Sequence, residues 1–100
     1  MNRSVTAERD KMPQVVFTSH LERYISCPPR EVSGHTVQEV LASVFNEIPR
    51  LKSYILDEQG HLRPHMVIFV DGQLITDRTS LSDPVKETGE VYVMQALSGG

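Results

Sequence analysis

The stretch Thr36-Val37-Gln38-Glu39-Val40-Leu41-Ala42-Ser43-Val44-Phe45-Asn46-Glu47-Ile48-Pro49 decides the fold class. Thr36 and Glu39 have the spacing of a capping box, in which a hydroxyl and a carboxylate satisfy the orphan N–H groups at a helix start. Val37, Val40, Leu41, Val44, Phe45 and Ile48 then recur at helical spacing and form one apolar stripe, with Ser43, Asn46 and Glu47 largely off it. Pro49 closes the pattern, because the residue before a proline is pushed out of the helical region. The spacing predicts a helix over residues 37–47. Such a helix has to bury its stripe against another element.

Working outward, the flanks supply strands. Met66-Val67-Ile68-Phe69-Val70 is a nearly continuous apolar and β-branched run, as expected of a central strand. Asp71-Gly72 is a hairpin signal, because the turn needs positive φ, and Gln73-Leu74-Ile75 starts the returning strand. Residues 79–84 read as a polar crossing anchored by Leu81. A turn at Thr88-Gly89 leads to a last strand, Val91-Tyr92-Val93-Met94, and then to the tail Ala96-Leu97-Ser98-Gly99-Gly100. On the other side, Val15-Val16-Phe17-Thr18 reads as a first strand. Tyr24-Ile25-Ser26-Cys27 reads as its return partner, with residues 20–23 as the turn and Pro28-Pro29 ending the pairing. Residues 51–56 read as a short apolar connector and residues 57–60 as a turn. One amphipathic helix with this strand order predicts an α+β roll, a mixed four- to five-stranded sheet packed on one main helix. Residues 1–12 are polar and aperiodic and are expected to form a disordered N-terminal extension. Residues 13–96 form the domain, and residues 97–100 a flexible C-terminal tail.

Composition narrows the functional classes. A chain of 100 residues with 39% hydrophobic and 23% charged residues fits one small globular domain. A net charge of -3 offers no basic face for nucleic acid. No run approaches the roughly 20 apolar residues of a membrane span, and no signal-peptide core precedes the domain, so the expectation is a cytoplasmic protein with no membrane partner. Cys27 is the only cysteine. It is expected as a half-buried thiol at a strand end, and it excludes both an intramolecular disulfide and a multi-cysteine zinc site. His61 and His65 stand four apart, but Gly60 and Pro64 argue against a helix there and no third ligand is evident, so no metal site is expected. No Ser-His-Asp set and no phosphate-cradling glycine loop can be placed. Nothing marks the chain as an enzyme with its own catalytic residues or cofactor.

What remains is the end of the chain. Gly99-Gly100 presents a carboxylate on a thin stalk without Cβ atoms, able to thread a narrow channel and meet the α-phosphate of ATP. With the pieces around it, the chain resembles the MoaD/ThiS family of ubiquitin-like sulfur carrier proteins. The matching segments are Met66-Val67-Ile68-Phe69-Val70-Asp71-Gly72-Gln73, Leu81-Ser82-Asp83-Pro84-Val85, Gly89-Glu90-Val91-Tyr92-Val93-Met94 and Ala96-Leu97-Ser98-Gly99-Gly100. The resemblance covers residues 13–100 and implies a β-grasp fold. It also implies a function: an ATP-dependent activating enzyme, similar to those that activate ubiquitin, adenylates Gly100, and a sulfur donor such as a persulfide protein converts it to a thiocarboxylate. The sulfur then passes to an accepting synthase in cofactor or sulfur-metabolite biosynthesis, of which the chain could be the small subunit. Gly99, Ser98 and Leu97 would give access to the activating site.

Alternation adds a surface. With Met66, Ile68 and Val70 turned to the helix, Val67 and Phe69 fall on the open sheet face with Tyr92 and Met94, a candidate docking patch. Two alternatives stay open at this level: a ubiquitin-like protein modifier conjugated through Gly100, and a β-grasp interaction module without carrier activity.

Overall fold

The computed structural model describes residues 12–18 and 25–96. Residues 1–11, 19–24 and 97–100 lie outside the described residues, and with them the turn expected at residues 20–23, the tail expected at 97–100 and most of the expected N-terminal extension. The elements are β1 (Gln14–Phe17), β2 (Arg30–Glu31), α1 (Val37–Glu47), α2 (Arg50–Ile55), β3 (Met66–Val70), β4 (Gln73–Leu74) and β5 (Glu90–Gln95). One five-stranded mixed sheet has the order β2-β1-β5-β3-β4. Only the β1–β5 pair is parallel; the other pairs are antiparallel. This is the mixed sheet and main helix that the pattern predicted.

α1 occupies the predicted residues and is held at its start from several sides. Glu39 N–H donates to Thr36 Oγ1 at 3.2 Å. The Glu39 carboxylate reaches back to the N–H of His35 at 2.8 Å, one residue before the cap itself. The N–H groups of Val37 and Gln38 donate to the carbonyls of Asp83 (3.0 Å) and Leu81 (2.9 Å), so the polar crossing is a backbone cap for the helix. The stripe residues Val37, Val40, Leu41 and Val44 are buried, with Phe45 and Ile48 packed at the margin. They meet the inner sheet side chains Val15, Phe17, Ile68, Val91 and Val93 in one core. Gly34 lies against the first turn of α1: a Cβ there would sit 2.7 Å from the Val40 nitrogen, so only glycine fits.

Two readings of the sequence need correction. Tyr24 lies outside the described residues, and residues 25–27 do not form the expected return strand. Its ladder lies beyond the prolines, where Arg30 pairs with Val15 and Glu31 with Gln14. Ile25 and Cys27 are buried alternately around exposed Ser26 because they plug the core, not because they pair. Cys27 is therefore 1% exposed rather than half-buried. Arg30 also forms an ion pair with Glu47 that ties this edge to the end of α1. The second correction concerns the connector after Pro49, which is the helix α2. It buries Leu51 and Ile55, one turn apart, and its end is fixed by Leu56 N–H donating to Lys52 O at 2.8 Å.

The crossing between β4 and β5 is organised by two carboxylates. Asp77 accepts bonds from the N–H and hydroxyl of Thr79 and of Ser82 and from Ser80 N–H. These bonds, led by the Ser82 hydroxyl, hold its carboxyl far below the usual carboxylate range. Asp83 is pushed up by desolvation, but bonds from Thr76 and from Asp77 N–H outweigh this and its net shift is also downward. A carboxyl whose pKa is lowered on folding stabilises the protein above its unfolded value and loses that contribution as pH falls.

Unfolding by denaturant should therefore grow easier as pH drops from about 5 to about 2. Asp77→Asn is expected to have a lower midpoint at neutral pH and a shallower decline in acid. Leu41→Ala, at a position 1% exposed, is expected to lose about 2–5 kcal/mol in the same measurement.

Candidate functional site

β5 is the strand on which the site is built. Its sequence Glu-Val-Tyr-Val-Met-Gln alternates, and both its edges are paired, to β1 on one side and β3 on the other. Val91 and Val93 are fully buried toward α1, so Tyr92 and Met94 must face the opposite side of the sheet. The register sets their neighbours. Phe69 stands opposite Tyr92 and Val67 opposite Met94 across the β3–β5 pair. All four candidate docking residues therefore share one face. Tyr92 is 38% exposed, and Val67, Phe69 and Met94 are half-buried.

Two further residues on this face were missed from the sequence. Leu74 pairs with Phe69 across the hairpin and is 55% exposed. Val16 pairs with Tyr92 from the β1 side. Leu74, Phe69, Tyr92 and Val16 thus form a continuous apolar row across four strands. The available signals were the two-residue turn at Asp71-Gly72, which puts position 74 opposite 69, and the alternation of Val15 and Phe17 with Val16 in β1.

At the upper end of the face the turn is locked to β5. Asp71 and Gly72 both have positive φ, 51° and 84°. Asp71 N–H donates to Glu90 O at 2.9 Å, and the Asp71 carboxylate accepts Glu90 N–H at 2.9 Å. At the lower end, Ala96 N–H donates to His65 O at 2.8 Å. The segment that receives it is pinned from behind. Arg78 Nη2 donates to the carbonyls of Arg63 (2.7 Å) and Met66 (2.9 Å), and Arg63 Nε donates to Ser53 O at 2.8 Å. β5 is consequently fixed up to Ala96. Gly100, Gly99, Ser98 and Leu97 follow at once in the sequence and lie outside the described residues.

Among the described residues, no three His, Cys, Asp or Glu side chains converge as metal ligands. His61 N–H serves the turn by donating to Asp57 Oδ1 at 2.9 Å, while the His65 side chain is exposed. Among the described residues, no helix is long and apolar enough to cross a membrane.

A family model described as ThiS family matches residues 25–100, three quarters of the chain including its end. The chain belongs to the ThiS family. Solved structures agree on the fold. The BexX/CysO complex of Amycolatopsis orientalis contains a chain that matches with a TM-score of 0.74 at 20% identity, covering 88% of this chain and 99% of that one. Small archaeal modifier protein 1 of Methanosarcina acetivorans matches with a TM-score of 0.73 at 24% identity, covering 88% and 95%. Urm1 of Sulfolobus solfataricus gives 0.62 at 18% identity, covering 83% and 99%. No curated protein sequence matches the chain. The fold of this ThiS-family protein is thus the β-grasp fold of ubiquitin-like proteins.

The lock between the hairpin and β5 is open to test. Asp71→Ala removes the acceptor for Glu90 N–H and places a residue poorly suited to positive φ in the turn, at an expected cost of about 1–2 kcal/mol by chemical denaturation. Asp71→Asn keeps an acceptor and tolerates the conformation, so it should stay close to the wild type.

Proposed function

We propose that this protein is a sulfur carrier whose working group is the Gly100 carboxylate. An activating enzyme of the ubiquitin-activating kind would let that carboxylate attack the α-phosphate of ATP, releasing pyrophosphate and leaving an acyl-adenylate. A persulfide on a donor protein would then attack the acyl carbon and displace AMP, and a second thiol would cleave the S–S bond to leave the thiocarboxylate. The protein's share of this chemistry is presentation rather than catalysis. It supplies a rigid base up to Ala96 and a terminal Gly99-Gly100 that can enter a channel too narrow for side chains. Leu97 and Ser98, between the two in the sequence, would give Gly100 its reach into the activating site.

The observation that carries the reading is the junction of β5 with the tail. A central strand, paired on both edges, is tied at Ala96 to His65 only four residues before the terminal Gly100. The apolar face approaches this junction at Val67 and Met94 and continues away from it to the row through Phe69 and Tyr92, and it suits the docking of the activating enzyme or the sulfur acceptor. The likeness to a small archaeal modifier protein favours a second reading, in which an amine rather than sulfur takes the activated acyl group and Gly100 becomes linked to lysines of other proteins.

Both readings require activation at Gly100. In ATP–pyrophosphate exchange with the cognate activating enzyme, deletion of Gly99-Gly100 should abolish exchange. Gly100→Ala should slow it strongly while leaving the unfolding midpoint unchanged. Normal exchange with either variant would contradict the assignment. Phe69→Glu and Tyr92→Glu should raise the KM for the carrier with little effect on kcat.

A further inference from the structure

The helix side of the sheet carries a concave surface separate from the open sheet face. It is a groove of about 460 Å³ along α1, within the roughly 300–1,000 Å³ typical of binding sites. One bank is α1 itself, where Gln38, Ala42, Phe45 and Asn46 succeed one another along the helix, with Pro49 beyond its end. From Gln38 to Asn46, at a rise of about 1.5 Å per residue, this bank is about 12 Å long. The floor is apolar, made by the buried side chains of Leu41, Leu56 and Leu81. Leu81 holds a positive φ of 55° while its carbonyl caps Gln38 N–H at 2.9 Å. That wall is therefore fixed to the helix it faces.

Charge and shape together select an occupant. Lys52, exposed on α2 at the far bank, is the one charged side chain in the lining among the described residues, and no carboxylate among those residues pairs with it. A cation beside an apolar trough in an otherwise acidic protein favours a ligand that is apolar with one negative group, and repels a cationic one. A bank about 12 Å long matches about four residues of extended chain at roughly 3.3 Å per residue. We propose that this groove docks an extended segment of a partner protein. The segment's apolar side chains would lie over Leu41, Phe45 and Leu81, and a carboxylate would follow them to Lys52. The groove lies on the side of the sheet opposite Phe69 and Tyr92, so a partner bound there leaves the docking row uncovered. The inference goes beyond the carrier reading and holds whether or not Gly100 is activated.

The test uses the full-length, isotope-labelled protein and two capped peptides, Ala-Leu-Ala-Phe-Asp-Ala and its Lys-for-Asp counterpart, followed by amide chemical shifts. The acidic peptide should move the amides of Ala42, Phe45, Lys52 and Ser80, and the basic peptide should bind at least about tenfold more weakly. Lys52→Glu should reverse that order. Ala42→Trp, at an exposed helix position, should block both peptides while leaving the unfolding midpoint unchanged. Equal affinity for the two peptides, no shifts, or shifts centred on Phe69 and Tyr92 would overturn the proposal. So would changes at the groove amides on deleting residues 1–11 or on diluting the free protein, since the groove would then be filled by the chain's own segment or by a second copy.

Discussion

The structure depends on the need of α1 to bury Val37, Val40, Leu41 and Val44 together. Eleven residues of isolated helix are marginal in water, so the element persists because the sheet covers its stripe. That demand makes the two faces of the sheet unequal. Val15, Phe17, Ile68, Val91 and Val93 turn inward, and strict alternation then forces Val16, Val67, Phe69, Tyr92 and Met94 outward. The outer apolar row is thus a geometric consequence of the inner one. The small size of the domain leaves nothing among the described residues to form a second layer over it.

The same demand places β5 in the middle. With β1 parallel on one edge and β3 antiparallel on the other, β5 is the most constrained strand of the molecule, and it is also the strand that leads to the chain end. A carrier benefits from this combination. The base must be rigid so that a partner gripping the sheet face knows where the tail begins, and the tip must be slim so that it can enter an active site. Arg78 serves the rigid part at a distance, by filling the carbonyls of Arg63 and Met66 behind the residue that receives Ala96.

Much of this was legible because its determinants are local. The capping box, the stripe and Pro49 all lie within α1 or next to it, and Asp71-Gly72 encodes its own turn. The location of β2 was not legible. Ile25 and Cys27 alternate as a strand would, but their burial comes from the core, and the ladder with β1 is made past Pro28-Pro29 by Arg30 and Glu31, which carry no strand signal. α2 is too short for its Leu51–Ile55 spacing to stand out from an apolar connector. Within the candidate site, Val67, Phe69, Tyr92 and Met94 could be grouped by alternation along their own strands. Adding Val16 and Leu74 needed the register between strands, which is set by packing across the sheet. The positive φ of Leu81 is fixed by its carbonyl's bond to Gln38 N–H and by burial of its side chain, neither of which is written in neighbouring residues.

The central claim is that one carboxylate, at Gly100, carries the sulfur. Intact-mass spectrometry of the protein isolated from its own cells, followed by fragmentation, tests it most directly. The account predicts a discrete fraction heavier by the exchange of one oxygen for sulfur, with the added mass on Gly100. A population with only the unmodified mass, under conditions where the sulfur-accepting pathway is active, would contradict it, as would the added mass on Cys27 instead.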